Sequence, residues 1–456
     1  MMHGYPRGVL EEEIPATASS VAWKEPPSWL PAALHSLAYR DYLLLVIGQI
    51  SNSLAQWMDM VARPILVIAI TGSAVQLGLV TLVRGVPMLF LGPVAGILAD
   101  RMDRRILMLI AKVLNLVVCV GFAAIILAGQ LQLWHVYVTA ILRSLLMAFD
   151  QPARQALLPS MVPPRLLANA VALNMGSMQV TRIISASVAG LMIAFWAITF
   201  GFEGADARAF GGVYLAVAIV SIIAVVATYV MRVPPGGRVV RTEDSWVTSF
   251  VQGIRFAWHS PVILGILILL AVQSAFGMPY LQVFVPWLAI KVMDLGAAGA
   301  GLLIAASGVG ALAGAVVVAA IGHRLRRRGI IIIVGLTLYG VAIAALGLTS
   351  ALPLVAVMGL TLPVLPLAMI VLVGIGQTAI MSMKNIVLLE STPNELRGRV
   401  MSFQSLDRGF TTVGGGLGGF AIALMGGPFA LALFGALCAF WAIVVGVFSP
   451  GLRKHD

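Results

Sequence analysis

Long apolar segments dominate this chain, and short polar connections interrupt them at intervals of roughly 20 to 30 residues. In lipid, an apolar segment of that length must be a helix, because only a helix satisfies its own backbone groups. The pattern therefore predicts an all-α integral membrane protein with twelve transmembrane helices. The predicted ranges are 42–70, 74–98, 105–128, 134–152, 167–197, 212–231, 261–288, 297–321, 329–349, 353–385, 397–424 and 428–448.

The tenth of these ranges is the longest and contains three prolines, Pro353, Pro363 and Pro366. Proline removes a backbone donor and cannot continue an unbroken helix. We therefore expect this segment to kink or to begin outside the membrane.

Composition agrees with a membrane protein, since 60% of the residues are hydrophobic and only 10% are charged. A soluble domain carries about 25% charged residues. The net charge of +11 is spread over several loops, so it records membrane orientation rather than nucleic-acid binding. Cys119 and Cys438 both lie in apolar runs and are expected to be free thiols.

Basic residues collect in alternate connections. The basic loops include "DRMDRR" at 100–105, "HRLRRR" at 323–328 and the segment 232–241, whereas the other set of loops holds few charges. Loops rich in Lys and Arg stay in the cytoplasm, so both termini are predicted there. This placement requires an even number of spans, which agrees with twelve.

The chain also repeats itself, because residues 162–190 align without gaps to residues 391–419. We therefore predict two pseudo-symmetric six-helix bundles with the substrate site between them, an architecture of secondary transporters. The predicted units are a disordered cytoplasmic tail 1–36, bundles 37–231 and 261–449, a linker 232–260 with an interfacial helix, and a tail 450–456.

Charged residues inside spans cost about 2.5–3.5 kcal/mol each at a helix centre, so each is a candidate for function. Asp59 and Arg63 lie four apart, which predicts either a self-neutralising ion pair or a proton-accepting Asp59. Each further arginine is either a cavity residue or a structural donor, and Lys384 with Glu390 is expected to form a local gate or surface pair. The candidates for the transport cavity and proton coupling are Asp59, Arg63, Arg84, Arg143, Arg182, Asp407 and Arg408. Their surplus of arginine favours a substrate with an anionic or strongly hydrogen-bond-accepting group.

The stretch "GILADRMDRR", residues 96–105, concentrates charge between the second and third spans. It resembles the signature loop of the major facilitator superfamily, G-x-L-A-D-R-x-G-R-R, and departs from it at Asp103, where a different local turn is expected. The runs 150–163 and 395–402 resemble the enterobactin-exporter and macrolide-efflux-like branch of that superfamily. The matching loop and gating residues are Gly96, Asp100, Arg101, Arg104 and Arg105.

The resemblance implies a secondary transporter of the inner membrane of a prokaryote. It implies export of a small organic molecule, such as a drug or siderophore, in exchange for protons. It also implies that Asp100 contacts the start of helix eleven in the outward-facing state, and that Arg143 takes part in proton transfer. Ser185 and Ala186 replace the Gly-Pro that superfamily antiporters carry in helix five, which weakens the case for proton coupling.

Other functions stay open at this point: an uptake carrier or facilitator for a small anionic metabolite, or a channel. An ATP-driven pump would need G-x-x-x-x-G-K-[ST], and the chain has no Gly-Lys pair. The six histidines are scattered, so neither an enzyme nor a metal or cofactor site is predicted. The expected partners are a small-molecule substrate, protons and the lipid bilayer, without nucleic acid, and the protein is expected to be a monomer.

Overall fold

The computed structural model describes residues 25–85, 87, 103–202, 206–233, 260–321, 327–352, 355–357, 360–391 and 404–453. Six helices of the first half are described. They are α1 Arg40–Thr71, α2 Ala74–Gly85, α3 Arg104–Leu127, α4 Leu133–Leu157, α5 Leu167–Phe200 and α6 Gly211–Val230.

The second six helices begin after the segment 234–259, which lies outside the described residues. They are α7 Pro261–Val292, α8 Gly296–Ile321, α9 Arg328–Thr349, α10 Val364–Glu390, α11 Gln404–Met425 and α12 Gly427–Phe448. Short helical turns add to the connections, at Ala32–Ala38, Leu158–Ser160, Pro164–Leu166, Ala207–Phe210 and Pro450–Arg453.

Nine helices of the described part are long and apolar enough to cross a membrane. The described portions of α2 and α11 are shorter, and α4 is less apolar because it contains Arg143, Asp150 and Arg154. The outward faces carry large exposed apolar side chains, among them Ile198 and Leu424, at 82% and 84% exposure. Such faces are stable only against lipid.

Within each half, the helices pack against one another. In the first half α1 packs against α5 and α6, and α3 packs against α4 and α6. In the second half α8 packs against α10, and α9 packs against α10 and α12. The all-helical architecture of twelve predicted spans is thereby confirmed.

Among the described residues, the two halves meet most extensively where α5 packs against α8, and α2 packs closely against α11. A Cβ atom added at Gly190 of α5 would lie 2.7 Å from a carbonyl oxygen of α8, and one at Gly78 of α2 would lie 2.9 Å from a carbonyl oxygen of α11. Only glycine permits so close an approach of two helices.

These contacts between halves lie towards one face of the molecule. We call it the closed side; α1 ends there at Thr71 and α5 ends there at Phe200. The opposite face, where α1 begins at Arg40 and α3 at Arg104, is called the basic side.

The tenth helix corrects the predicted range 353–385, because α10 begins only at Val364. A short antiparallel hairpin, Val355–Val357 paired with Leu360–Leu362, precedes it. Pro363 stands directly before the helix and Pro366 lies in its first turn, where a missing N–H costs no helical hydrogen bond. The predicted start of the helix at 353 is therefore wrong, while the expectation that the segment kinks or begins outside the membrane stays a prediction.

The N-terminal segment also needs a correction. Residues 32–38 form a 3-10 helix that lies against the start of α5, whereas the sequence predicts a mostly disordered tail over 1–36. The Ser36 hydroxyl donates to the side-chain oxygen of Asn169, whose amide nitrogen donates to the carbonyl oxygen of Ala33 at 2.9 Å. Residues 1–24 lie outside the described part.

Candidate functional site

Asp59 lies deep in α1 and is only 3% exposed. The predicted ion pair with Arg63 is present, with 2.8 Å between Arg63 Nη2 and the Asp59 carboxylate. A second guanidinium group, that of Arg143 on α4, reaches the same carboxylate at 2.9 Å. The Tyr214 hydroxyl of α6 donates to it as well, at 3.2 Å. One carboxylate therefore joins α1, α4 and α6.

The remaining donors of Arg63 are also satisfied. Its Nη1 donates to the Val136 carbonyl oxygen and to the Thr139 hydroxyl, both at 2.9 Å, and its guanidinium stacks on Phe122 at 5.2 Å. A buried charge is tolerated only when it is paired and hydrogen-bonded. With two arginines on one acid, the cluster is held together by the ionised carboxylate and keeps a surplus positive charge.

Arg84 on α2 lines two neighbouring cavities. The first also contains Asp59 and Arg143, and the second is lined by Arg63, Arg84 and Gln282. Gln282 belongs to α7, so the second cavity lies between the halves. Arg63 and Arg84 thus lie between Asp59 and the cavity that borders both halves.

The side chain of Arg182 on α5 reaches from the first half of the molecule into the second. It is 4% exposed, so its guanidinium group does not snorkel to the membrane surface. Its Nη2 donates to the Ser307 hydroxyl of α8 at 2.8 Å and to the Gln377 side-chain oxygen of α10 at 3.4 Å. The guanidinium stacks over Trp57 of α1 at 5.1 Å. Among the described residues no carboxylate lies within ion-pair distance of it, so neutral groups alone hold this cation.

The second half has its own buried polar cluster. The Ser274 hydroxyl of α7 donates to the Asp407 carboxylate of α11, and the Lys384 ammonium of α10 donates to the Gln273 side-chain oxygen. Gln273 and Ser274 lie in a π-helical turn of α7, an irregularity common at functional sites. Lys384 is 4% exposed, so its expected place in a surface pair is wrong. The side chains of Arg408 and Glu390 lie outside the described part.

A third cluster lies near the basic side. Asp150 of α4 stands 3.8 Å from the Lys112 ammonium of α3 and 3.9 Å from Arg154, and Lys112 donates to the Thr228 hydroxyl of α6 at 2.7 Å. Sequence reasoning did not single out this cluster. A usable signal was present, because Lys112 is the only charged residue between Arg105 and the end of α3.

The signature loop is described only from Asp103 onward, so Gly96, Asp100 and Arg101 lie outside the described residues. Asp103 caps α3, its carboxylate accepting the backbone N–H groups of Arg105 at 2.8 Å and Ile106 at 3.1 Å. Asp is a preferred residue at this position of a helix, which accounts for the departure from glycine. Arg104 opens α3, and Arg105 Nε donates to the Thr228 carbonyl oxygen at 3.4 Å.

The family model of the Major Facilitator Superfamily matches residues 45–406 of this sequence. The chain belongs to the Major Facilitator Superfamily. It is 26% identical to the multidrug efflux pump Tap of Mycolicibacterium fortuitum over 439 residues, which cover 91% of this chain and 97% of that protein. It is 27% identical to the enterobactin exporter EntS of Citrobacter koseri over 345 residues, 75% of either chain. The predicted resemblance to this superfamily and branch is confirmed.

Solved structures of the superfamily share the fold. A D-xylose–proton symporter superposes with a TM-score of 0.68 at 14% identity, and the superposition covers 92% of this chain and 100% of the symporter chain. An inward-facing, unoccupied bacterial homologue of the lysosomal transporter Spinster superposes with a TM-score of 0.66 at 15% identity and covers 91% of this chain and 96% of its own. The match to the superfamily model and to efflux transporters over most of the chain shows a multi-span membrane transporter.

Proposed function

We propose that this protein exports a small organic molecule across the inner membrane of a bacterium in exchange for protons. One observation carries the proton coupling: Asp59, deep in α1, binds Arg63 of its own helix and Arg143 of α4 beside the cavity between the halves. The efflux and exporter functions named for Tap and EntS support the direction of transport.

The basic side is the cytoplasmic side in this proposal, with both termini there, because Lys- and Arg-rich loops stay inside. The contacts between halves at the closed side then make this conformation inward-facing. Substrate enters from the cytoplasm, the units 37–231 and 261–449 rock about the site, and the closed side opens outward. In the outward state Asp100 contacts the predicted start of helix eleven near residues 396–397.

Protonation of Asp59 is the coupling event. Neutralising the carboxylate removes the negative charge that holds the Arg63 and Arg143 guanidinium groups together. Since Arg63 also lines the cavity between the halves, release of this pair changes the charge presented to the substrate. A ligand shifts a conformational equilibrium only through such a difference in affinity for the two states.

The arginines also define the substrate chemistry. Arg84 of the first half and Gln282 of the second line one cavity, and both offer N–H donors. A substrate with an anionic or strongly accepting group bridges them and so contacts both halves at once. Arg182, which lacks an acidic partner in the described part of the chain, adds to the positive field at this level.

The test is transport by protein reconstituted into liposomes, with a panel consisting of a macrolide, a catecholate siderophore and a lipophilic cation. We expect at least one of them to accumulate inside the liposomes when the interior is more acidic than the outside solution, because protons then leave as substrate enters, and we expect no accumulation without the pH difference. An Asp59→Asn variant should lose the response to the pH gradient. Accumulation that ignores the pH gradient in the wild type would remove proton coupling.

The same vesicles separate the rival functions. Saturation and counterflow identify a carrier, whereas ohmic single-channel currents identify a channel. Vesicles of known orientation separate export from uptake, since export requires binding from the side that carries Lys112 and Asp150.

A further inference from the structure

A cavity lies within the first half of the molecule, apart from the space between the halves. Its described lining residues all belong to α1, α2, α3 and α4, and the space inside it that can hold water is about 40 Å³. One water molecule needs about 10–15 Å³ of such space and two to four polar partners. The cavity therefore has room for a short file of about three water molecules.

Polar side chains follow this cavity from the middle of the membrane towards the basic side. Asp59 lies at the inner end, where Arg143 binds its carboxylate, and Arg143 Nε donates to the Asn115 side-chain oxygen at 3.3 Å. Lys112 lies one turn along α3 from Asn115, and Asp150 lies two turns along α4 from Arg143, about 10 Å at 1.5 Å per residue.

At the outer end of the cavity, one polar atom has no hydrogen-bond partner among the described residues. Oδ1 of Asp150 is buried and has no hydrogen-bond partner in the described part of the protein, and the neighbouring Lys112 and Arg154 stand beyond hydrogen-bond distance. A buried polar atom without a partner is costly, and a water in the cavity would remove that cost. The site is therefore built to hold water next to a carboxylate.

We propose that this cavity is a separate proton path, along which the proton carried by Asp59 leaves to the basic side while the substrate uses the space between the halves. The proposal rests on the proton coupling of the proposed function. The protonated carboxyl of Asp59 gives its proton to a water molecule, the hydronium charge passes along the water file beside Asn115, and it leaves past Asp150. The carboxylate left behind then accepts from Arg63 and Arg143, as it does in this structure.

The charges along the path favour this direction. The charged residues that line it are Asp59, Arg84, Lys112, Arg143 and Asp150, while Arg63 and Tyr214 contact Asp59 from outside the lining and Arg154 stands beside Asp150. Three arginines surround Asp59, whereas Lys112 and Arg154 stand near Asp150, so the surplus of positive charge is larger at the inner end and favours movement of a proton away from it. Asp150 supplies an acceptor at the other end.

Hydration is tested with a thiol reagent in a protein whose native cysteines are replaced by serine. Asn115→Cys faces the cavity, and Val117→Cys, two residues along α3 and 62% exposed, faces lipid and is the matched control. We expect the small anionic reagent 2-sulfonatoethyl methanethiosulfonate, added from the basic side, to modify Asn115→Cys and not Val117→Cys. Failure to modify Asn115→Cys, or equal modification of both, overturns the proposal.

The path is tested by comparing gradient-driven accumulation with counterflow, an exchange that needs no net proton movement. The probe is the panel compound that the wild type transports fastest. In Asp150→Asn, the ratio of gradient-driven rate to counterflow rate should fall by about a hundredfold, the lower end of what a positioned proton-transfer group contributes. Asp150→Glu should restore the ratio.

Equal loss of both rates in Asp150→Asn overturns the proposal, because it assigns Asp150 a structural role. A wild type that ignores the pH gradient overturns the proton coupling itself, and the proton path falls with it. That failure differs from a failure of the path alone, in which the wild type responds to the gradient while Asp150→Asn keeps the wild-type ratio.

Discussion

Replacing Asp59 by asparagine tests whether the buried carboxylate organises the first half. The substitution keeps the size of the side chain and removes its charge. Arg63 and Arg143, which now stand 2.8 and 2.9 Å from the carboxylate, would remain buried without an anion. The Tyr214 hydroxyl would exchange a charged acceptor for a neutral one.

The expected loss follows from these contacts. Removing one partner of a buried ion pair costs about 3–5 kcal/mol, because the other charge stays buried and uncompensated. Arg63 keeps the Val136 carbonyl oxygen and the Thr139 hydroxyl, so part of its hydrogen bonding survives. Arg143 keeps only Asn115 among its described partners. We therefore expect a loss of about 3–5 kcal/mol, most of it from Arg143.

Thermal unfolding in detergent, followed by tryptophan fluorescence, measures the effect. Asp59→Asn should lower Tm clearly, and Arg143→Gln added to it should recover part of the loss, as residues in one network couple by about 0.5–3 kcal/mol. The matched control is Asp206→Asn, in which the carboxylate also bonds an arginine but lies in a loop. It should change Tm much less.

Two results would refute this reasoning. One is an Asp59→Asn protein with the Tm of the wild type, because the two arginines would then not depend on the carboxylate. The other is strict additivity of Asp59→Asn and Arg143→Gln, because residues in direct contact must couple.

Three further perturbations test other parts of the structure. Gly190→Val should prevent the close approach of α5 and α8, because even a Cβ atom at this position would lie 2.7 Å from a carbonyl oxygen. The variant should therefore let a thiol reagent enter more readily from the closed side. Gly176→Val is the control, because its Cβ position has open space around it. Arg182→Gln should loosen the same closure by removing a cation that bonds α8 and α10 across the halves, as measured by spin-label distances between the halves. The hydrogen bond from Arg208 lowers the pKa of Asp206, so the stabilisation by this carboxylate is present above its ordinary pKa and is lost as the pH falls through the lowered value. The Tm difference between wild type and Asp206→Asn should therefore shrink on acidification below about pH 4.

Each of these has a contrary outcome. Equal accessibility of Gly190→Val and Gly176→Val would mean that the glycine contact does not close this side. Unchanged distances in Arg182→Gln would make that arginine a local packing residue. A Tm difference for Asp206→Asn that grows on acidification would contradict the lowered pKa.

The fold followed from the sequence because hydrophobic periodicity and loop charge act locally. A run of about 20 apolar residues has no other stable form in lipid, so the helices and the superfamily could be predicted without a structure. The prediction from sequence was wrong where contacts with distant residues override the local pattern. The apolar residues 355–357 and 360–362 form a hairpin rather than a helix, and residues 32–38 form a 3-10 helix that packs against α1 and α5, where Asn169, far along the chain, binds them.

The site was predictable in part, for the same reason. A buried charge is visible in a sequence as an exception in an apolar run, and this indicated Asp59, Arg143 and Arg182. Polar but common partners such as Tyr214 and Gln377 give no comparable signal, because a single hydroxyl or amide in a helix is usually a packing residue.

The sequence by itself determined that this chain crosses a membrane in helices and which charges are costly enough to need a role, and it predicts which loops share one side. Only the tertiary structure decided which charges share a partner: that Arg143 joins Arg63 on one carboxylate, that Arg182 crosses between the halves, and that Lys112 meets Asp150. The reason is that insertion into lipid depends on each segment's own composition, whereas the pairing of buried charges depends on how distant helices pack.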